Sequence, residues 1–220
     1  MIKIVGLCGS RIKNGNMEAL LQEAINHAVN QTDVEAELIT LADKQIKGCI
    51  HCNWCVSKQS EGKFCSQKDD MRQIYPKILE ADGIIVASPA HYGRLSGITA
   101  DMIDRLRVFA HGNMYKSKLK NKIGGAIAIA FYRGGGIETT LASLNMLFHS
   151  AQMIIATSGS YQLGAGAVSS RDGKGKFEKE IRHIVLEDEI GVTSVKHLVD
   201  RMVELARIFK AGQNALEDNK

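Results

Sequence analysis

Apolar residues along this chain fall into two rhythms: short continuous runs, and longer stretches where they recur every three or four positions. Residues 2–8 (IKIVGLC) are apolar and β-branched and stop at Gly9-Ser10, which predicts a strand buried on both faces. Over 17–29, Leu20, Leu21, Ala24, Ile25 and Ala28 keep helical spacing. Residues 34–41 (VEAELITL) alternate and predict a second strand, whereas 42–68 have no period. A helix opens at Asp69-Asp70-Met71 with acids in its first turn, and Pro76 either kinks it or begins its regular part. Residues 83–88 (GIIVAS) predict a third strand, stopped by Pro89. A helix near 97–110 places Met102, Ile103, Leu106 and Phe109 on one face. A fourth strand at 122–131, a helix at 138–150 and a fifth strand at 153–158 continue the alternation. Residues 159–189 read as one long Gly-, Ser- and Lys-rich loop, and an amphipathic helix over 193–210 closes the pattern. Five buried strands alternating with helices predict an α/β fold with a doubly wound parallel sheet and right-handed crossovers.

Composition narrows the class. The 220 residues are 45% hydrophobic, enough for one sizeable core over 1–220. No run of about 18 apolar residues exists, so no membrane span is expected, and the early polar residues do not resemble a signal peptide. A cytoplasmic location follows as an expectation. The net charge of +4 is spread along the chain, and Lys174, Lys176 and Lys179 fall in a solvated stretch, so no nucleic-acid partner is expected. Five cysteines change the picture, because Cys49, Cys52, Cys55 and Cys65 lie within seventeen residues. In a reducing compartment such clustering suggests a metal or redox site before it suggests disulfides. Cys8 lies on the first strand and reads as an apolar filler.

The loop after the first strand reads Gly9-Ser10-Arg11-Ile12-Lys13-Asn14-Gly15-Asn16. Ligands of open α/β sheets bind at the carboxyl ends of the strands, where a helix N-terminus favours an anion. Ser10 and Asn16 can donate hydrogen bonds there, and Arg11 or Lys13 can supply charge; the bland reading is an ordinary polar βα connection. The loop lacks both GxGxxG and GxxxxGK[ST], which speaks against a dinucleotide-binding turn and a P-loop. Gly9-Ser10 with Lys13-Asn14-Gly15-Asn16 resembles the phosphate loop of flavodoxin-fold NAD(P)H-dependent FMN reductases. Arg11, Ile12 and Met17 stand where proline, arginine and threonine are usual in those relatives. Asp69-Asp70-Met71, Ala81-Asp82-Gly83-Ile84-Ile85, Ser88-Pro89-Ala90-His91-Tyr92-Gly93 and Asp104-Arg105 extend the resemblance over about 1–160.

The resemblance implies a flavodoxin-like five-stranded sheet of order 2-1-3-4-5 with bound FMN. Its phosphate would lie in a cradle of Ser10, Arg11, Lys13, Asn14, Asn16, Met17 and Glu18. The ring would lie on Pro89, Ala90, His91, Tyr92 and Gly93, where glycine permits close backbone approach. Tyr132, Arg133, Gly134, Gly135 and Gly136 would flank the flavin, with Arg133 placed to stabilise negative charge on it or simply solvated at the surface.

Cys49-x2-Cys52-x2-Cys55-x9-Cys65 places three thiolates close together with a fourth on a short loop. Three readings stay open: a [4Fe-4S] cluster, a structural zinc site, or redox-active free thiols. The segment resembles the compact cysteine motif of iron-sulfur flavoproteins, with a longer last spacer. That resemblance implies electron transfer between a [4Fe-4S] cluster and FMN to a small acceptor such as a quinone, oxygen or peroxide. It further implies ferredoxin or NAD(P)H as donor and a homodimer or homotetramer. An NAD(P)H-dependent FMN or quinone reductase without a cluster and a non-catalytic redox sensor are the alternatives.

Overall fold

The computed structural model describes residues 1–218. Strands β1 (Ile2–Cys8), β2 (Val34–Thr40), β3 (Gly83–His91), β5 (Ile123–Ala130) and β6 (Ile154–Ala156) pair in parallel in the order β2-β1-β3-β5-β6. Counted along the chain, these are the five strands expected, in the 2-1-3-4-5 order. Helices α1 (Asn16–Val29) and α7 (Glu189–Asp218) cover one face. Helices α3 (Met71–Glu80), α4 (Gly97–Arg105), α5 (Arg107–Ala110) and α6 (Ile137–Ser150) cover the other, with the cysteine-bearing segment packed among them. The interior strand β5 is buried along its whole length. Its Gly124 and Gly125 make room for Phe148 of α6 on one face and Met202 of α7 on the other. No helix among the described residues is long and apolar enough to cross a membrane.

Four departures from the sequence pattern have physical causes. β3 continues through Pro89 to His91. Pairing with β1 ends at Ala87 and pairing with β5 ends at Pro89, so the missing N–H breaks no ladder. The 97–110 helix divides at Leu106 into α4 and α5. The fifth strand is shorter than 153–158, and its place along the second half of β5 is taken by β7 (Ala165–Val168). The stretch 159–189 therefore contains a strand and two 3₁₀ turns, Arg171–Gly173 and Ile184–Glu187. The last helix begins at Glu189, capped by Asp188, whose carboxylate accepts the Gly191 amide at 3.0 Å. Pro76 lies inside α3.

Candidate active site

The carboxyl edge of the sheet gathers three loops. The first joins β1 to α1. Helix α1 has no side-chain cap, and Ala19 is its first residue to donate within the helix, to Gly15 at 2.9 Å. The amides of Asn16, Met17 and Glu18 are thus the free donors of a helix N-terminus, the chemistry a phosphate takes. Ser10 is buried and its hydroxyl accepts the Ile12 amide at 3.1 Å. Glu18 braces the loop, accepting Asn14 N at 2.9 Å and the Thr40 hydroxyl at 3.1 Å.

Three expectations at this loop change. The Met17 side chain is buried in the core, so only its backbone remains for a ligand. Arg11 donates to the Lys44 carbonyl at 3.3 Å and Lys13 pairs with Asp43 at 3.7 Å, so both cations engage the start of the cysteine segment. Asn14 and Asn16 hold the 183–187 segment in place: the Asn14 carbonyl bonds His183 at 3.0 Å, and Asn16 Oδ1 accepts Val185 N at 3.1 Å.

The second loop is a hairpin. β3 turns back into β4 (Arg94–Leu95), with Ala90 opposite Leu95 and His91 opposite Arg94. Tyr92 (φ 52°) and Gly93 (φ 73°) make the two-residue turn, both left-handed as a type I′ turn requires. The Tyr92 side chain is fully exposed at its tip. In the third loop Gly136 (φ 98°) begins α6, and a Cβ there would lie 2.5 Å from Gly93 Cα. Thr139 donates to the Gly93 carbonyl at 2.6 Å, so the second and third loops touch. Tyr132, Arg133 and Gly134 are exposed, and Arg133 N bonds the Gly173 carbonyl at 2.8 Å.

A buried hydroxyl cluster, unseen in the sequence, locks the first loop to the second. Ser96 and Thr99 both donate to the Gly9 carbonyl, at 2.5 and 3.2 Å. Ser96 N donates to Ser88 Oγ at 2.9 Å, and Thr99 N to Ser96 Oγ at 3.3 Å, which caps α4. A Cβ at Gly9 would sit 1.8 Å from Thr99 Oγ1, so only glycine fits. Ser96 alone carries a sequence signal, that of a serine N-cap ahead of the 97–110 helix; nothing in the sequence pairs it with Thr99 or Gly9. An uncapped helix N-terminus between glycine-built loops fits the phosphate and ring of FMN.

The cysteine segment lies elsewhere. From Leu41 to Asp70 it crosses from β2 to α3, with one short helix, α2 (Trp54–Ser57). Phe64 anchors it, stacked on Tyr115 at 4.3 Å and against Tyr75 and Phe109. Gln59 ties it to the 108–115 segment through the Phe64 and Val108 carbonyls and the Met114 and Tyr115 amides. Cys55 is buried, Cys49 and Cys65 are half-buried, and Cys52 is exposed; none forms a disulfide. Burial pushes the Cys55 thiol up, whereas a hydrogen bond with Ser66 at 3.3 Å holds Cys52 down. Burial, with the Glu18 carboxylate adding to it, pushes the Cys8 thiol up to about 12 against a hydrogen bond from the Ser10 backbone, in keeping with an inert filler.

Among the described residues, no three His, Cys, Asp or Glu side chains converge on a metal position. Cys49, Cys52, Cys55 and Cys65 therefore share one segment but do not meet in a ligand geometry. Left-handed His51 and Asn53 separate the first three. The donor set still fits a sulfur-ligated centre chemically: four free thiols, with the Arg105 guanidinium 3.5 Å from Cys65 Sγ. Cys49 and His51 border a cavity of about 510 Å³ whose wall includes Met146 and Leu147 of α6. Gly136 starts that helix at the flavin loops, so this cavity lies about 15 Å along it. The cysteines thus sit farther from the flavin loops than their position after the second strand suggests.

Comparison with known proteins gives the family and the fold. The family description "NADPH-dependent FMN reductase" matches residues 2–167. An iron-sulfur flavoprotein of Methanocaldococcus jannaschii is 34% identical over 95% of this chain and 100% of its own. One from Archaeoglobus fulgidus is 31% identical over 95% of this chain and 98% of its own. Among solved structures, RosB with a bound riboflavin 5′-phosphate derivative superposes with a TM-score of 0.72, at 14% identity, covering 100% of this chain and 88% of that one. A WrbA-like flavodoxin from Agrobacterium tumefaciens gives 0.60 at 16% identity, covering 94% and 98%. These likenesses show the flavodoxin-like fold. The chain belongs to the NADPH-dependent FMN reductase family, among relatives named iron-sulfur flavoproteins, and is an FMN-dependent oxidoreductase.

Proposed function

We propose that this chain passes electrons between a [4Fe-4S] cluster on Cys49, Cys52, Cys55 and Cys65 and FMN at the carboxyl edge, and on to a small acceptor such as a quinone, oxygen or peroxide. The observation that carries the reading is four free thiols on one segment, seated against a buried arginine, in a chain whose sheet edge offers an uncapped helix N-terminus. Bound FMN supplies one- and two-electron chemistry, and the cluster one-electron chemistry. The chain's own residues bind, orient and shield. The α1 amides take the phosphate, the Tyr92-Gly93 turn and the 131–136 loop frame the ring, and Phe64 fixes the cysteine segment. Because the cysteines lie at the far end of α4 and α6 from these loops, a second copy bringing its cysteines to this flavin is part of the proposal.

The donor we propose is an acidic one-electron carrier of the ferredoxin class. Lys47, Lys58, Lys63, Lys116, Lys118 and Lys120 are exposed on the two segments that pack around the cysteines. Glu61 is the one exposed carboxylate across 44–68 and 106–122. Such a rim steers an acidic partner and weakens with salt. A second reading keeps the flavin and drops the cluster, with NAD(P)H as donor; it is favoured by the lack of a converged metal site among the described residues. Stopped-flow reduction of the flavin separates the two. Fast reduction by chemically reduced ferredoxin, slowed by salt and by Lys58→Glu/Lys63→Glu, supports the first. Fast reduction by NADPH that survives Cys49→Ser/Cys52→Ser unchanged supports the second.

A further inference from the structure

Two arginines beneath the cysteine segment each hold an unspent donor. Arg105, at the end of α4, is fully buried and grips Asp69 with both arms, Nη1 to Oδ2 at 2.5 Å and Nη2 to Oδ1 at 3.1 Å. Nη1 also donates to the Lys47 carbonyl at 2.8 Å, and Nη2 reaches Cys65 Sγ at 3.5 Å. Arg107, at the start of α5, donates from Nη2 at 2.7 Å to the Oδ1 of Asn53, which stands between Cys52 and Cys55 in the chain. The Nε groups of both arginines are buried without a partner. Only two other buried side-chain polar atoms among the described residues share that condition, and both lie on α6. Buried polar groups in native proteins are normally satisfied, so two orphaned guanidinium donors on arginines that hold the cysteine segment, one of them 3.5 Å from Cys65 Sγ, point to an acceptor that belongs there.

We propose that Arg105 and Arg107 tune a sulfur-ligated centre held by this segment, Arg105 donating through Nη2 to the Cys65 sulfur and both arginines donating to the centre through their unpartnered Nε groups. This rests on the [4Fe-4S] reading above. A cluster bound by four thiolates is anionic, and its sulfurs are hydrogen-bond acceptors. Reduction by an external one-electron donor adds one electron and makes the centre more negative, while the arginines stay protonated and no proton moves. Fixed cations and donors at the sulfurs stabilise the reduced form more than the oxidised one, and so raise the reduction potential. Arg105 acts through Cys65 and is a positioning residue; its bond to Asp69 keeps the guanidinium from rotating off the sulfur.

The test is an EPR-monitored redox titration of anaerobically prepared holoprotein, comparing wild type, Arg105→Lys and Arg107→Lys. Lysine keeps a cation at each place and removes the planar fork. The expected result is unchanged iron per chain with a more negative midpoint in each variant. The shift should correspond to at least a tenfold lower ratio of reduced to oxidised centre at fixed potential, which is 59 mV for one electron. Midpoints equal to wild type with iron retained would overturn the inference, as would a loss of thermal stability or iron with no change in potential. If Arg105→Lys does not fold, Arg107→Lys decides, since Arg107 forms no ion pair among the described residues. A wild-type chain without any iron–sulfur signal overturns the cluster reading and this inference with it.

Discussion

At the scale of single residues, three positions carry the account. Gly9 has no room for a methyl group, because Thr99 Oγ1 occupies its place. Gly9→Ala is expected to cost about 1–3 kcal/mol through overpacking, and to weaken FMN binding by parting the first two loops. Urea melts and a flavin titration check this; full affinity in the alanine variant would contradict it. Asp69 is a second such position. Burial raises its carboxyl, but the bonds from Arg105 and from the Lys47 and Met71 amides outweigh this and hold it below its usual value. Its contribution is therefore complete above about pH 4 and fades as pH falls through the lowered folded value. Removing one partner of a buried pair costs about 3–5 kcal/mol. Asp69→Asn should show that loss at pH 7, with the gap to wild type narrowing below pH 4. A constant gap across that range would count against it. Tyr92 is the third: a left-handed non-glycine residue costs roughly 1–2 kcal/mol, and glycine returns about 0.5–1 of that as entropy. Tyr92→Gly should hold or raise the melting temperature of the flavin-free chain while lowering flavin affinity. A lower melting temperature would refute the strain argument.

At the scale of elements, the sheet and its flanking helices were readable because their apolar periods are set locally. What escaped reading was fixed by contacts distant in sequence. β7 is Ala165–Val168, four small residues with little strand preference, and it is a strand because the second half of β5 needs a neighbour. β3 runs through Pro89 because its pairing with β1 has already ended at Ala87. The flavin-facing loops were legible from glycines and strand ends. The cluster of Ser88, Ser96 and Thr99 was not, since its target, the Gly9 carbonyl, lies 87 and 90 residues from the last two. Asp69 was read as a helix opener, and its pairing with Arg105 across 36 residues had no local sign. Ser96 both caps α4 and holds Gly9. Ser96→Ala is expected to cost more than the roughly 1 kcal/mol of an ordinary N-cap, measured by chemical denaturation. A loss of a few tenths would show that the Gly9 bond is replaced.

At the scale of the whole molecule, the sheet separates two apolar bodies. One is sealed by α1 and α7; the other carries α3 to α6 and the cysteine segment on an aromatic base of Phe64, Tyr75, Phe109 and Tyr115. The flavin edge and the cysteines thus occupy different ends of the same α4 and α6, and the chain is built as a flavin domain with a second chemical surface. The central claim is that this surface holds iron. The most direct measurement is the flavin, iron, acid-labile sulfide and zinc content of protein purified without air. FMN is expected equimolar with the chain, with about four iron atoms and matching sulfide, the iron being lost in Cys55→Ser. Equimolar FMN with zinc, or with no metal at all, would contradict it.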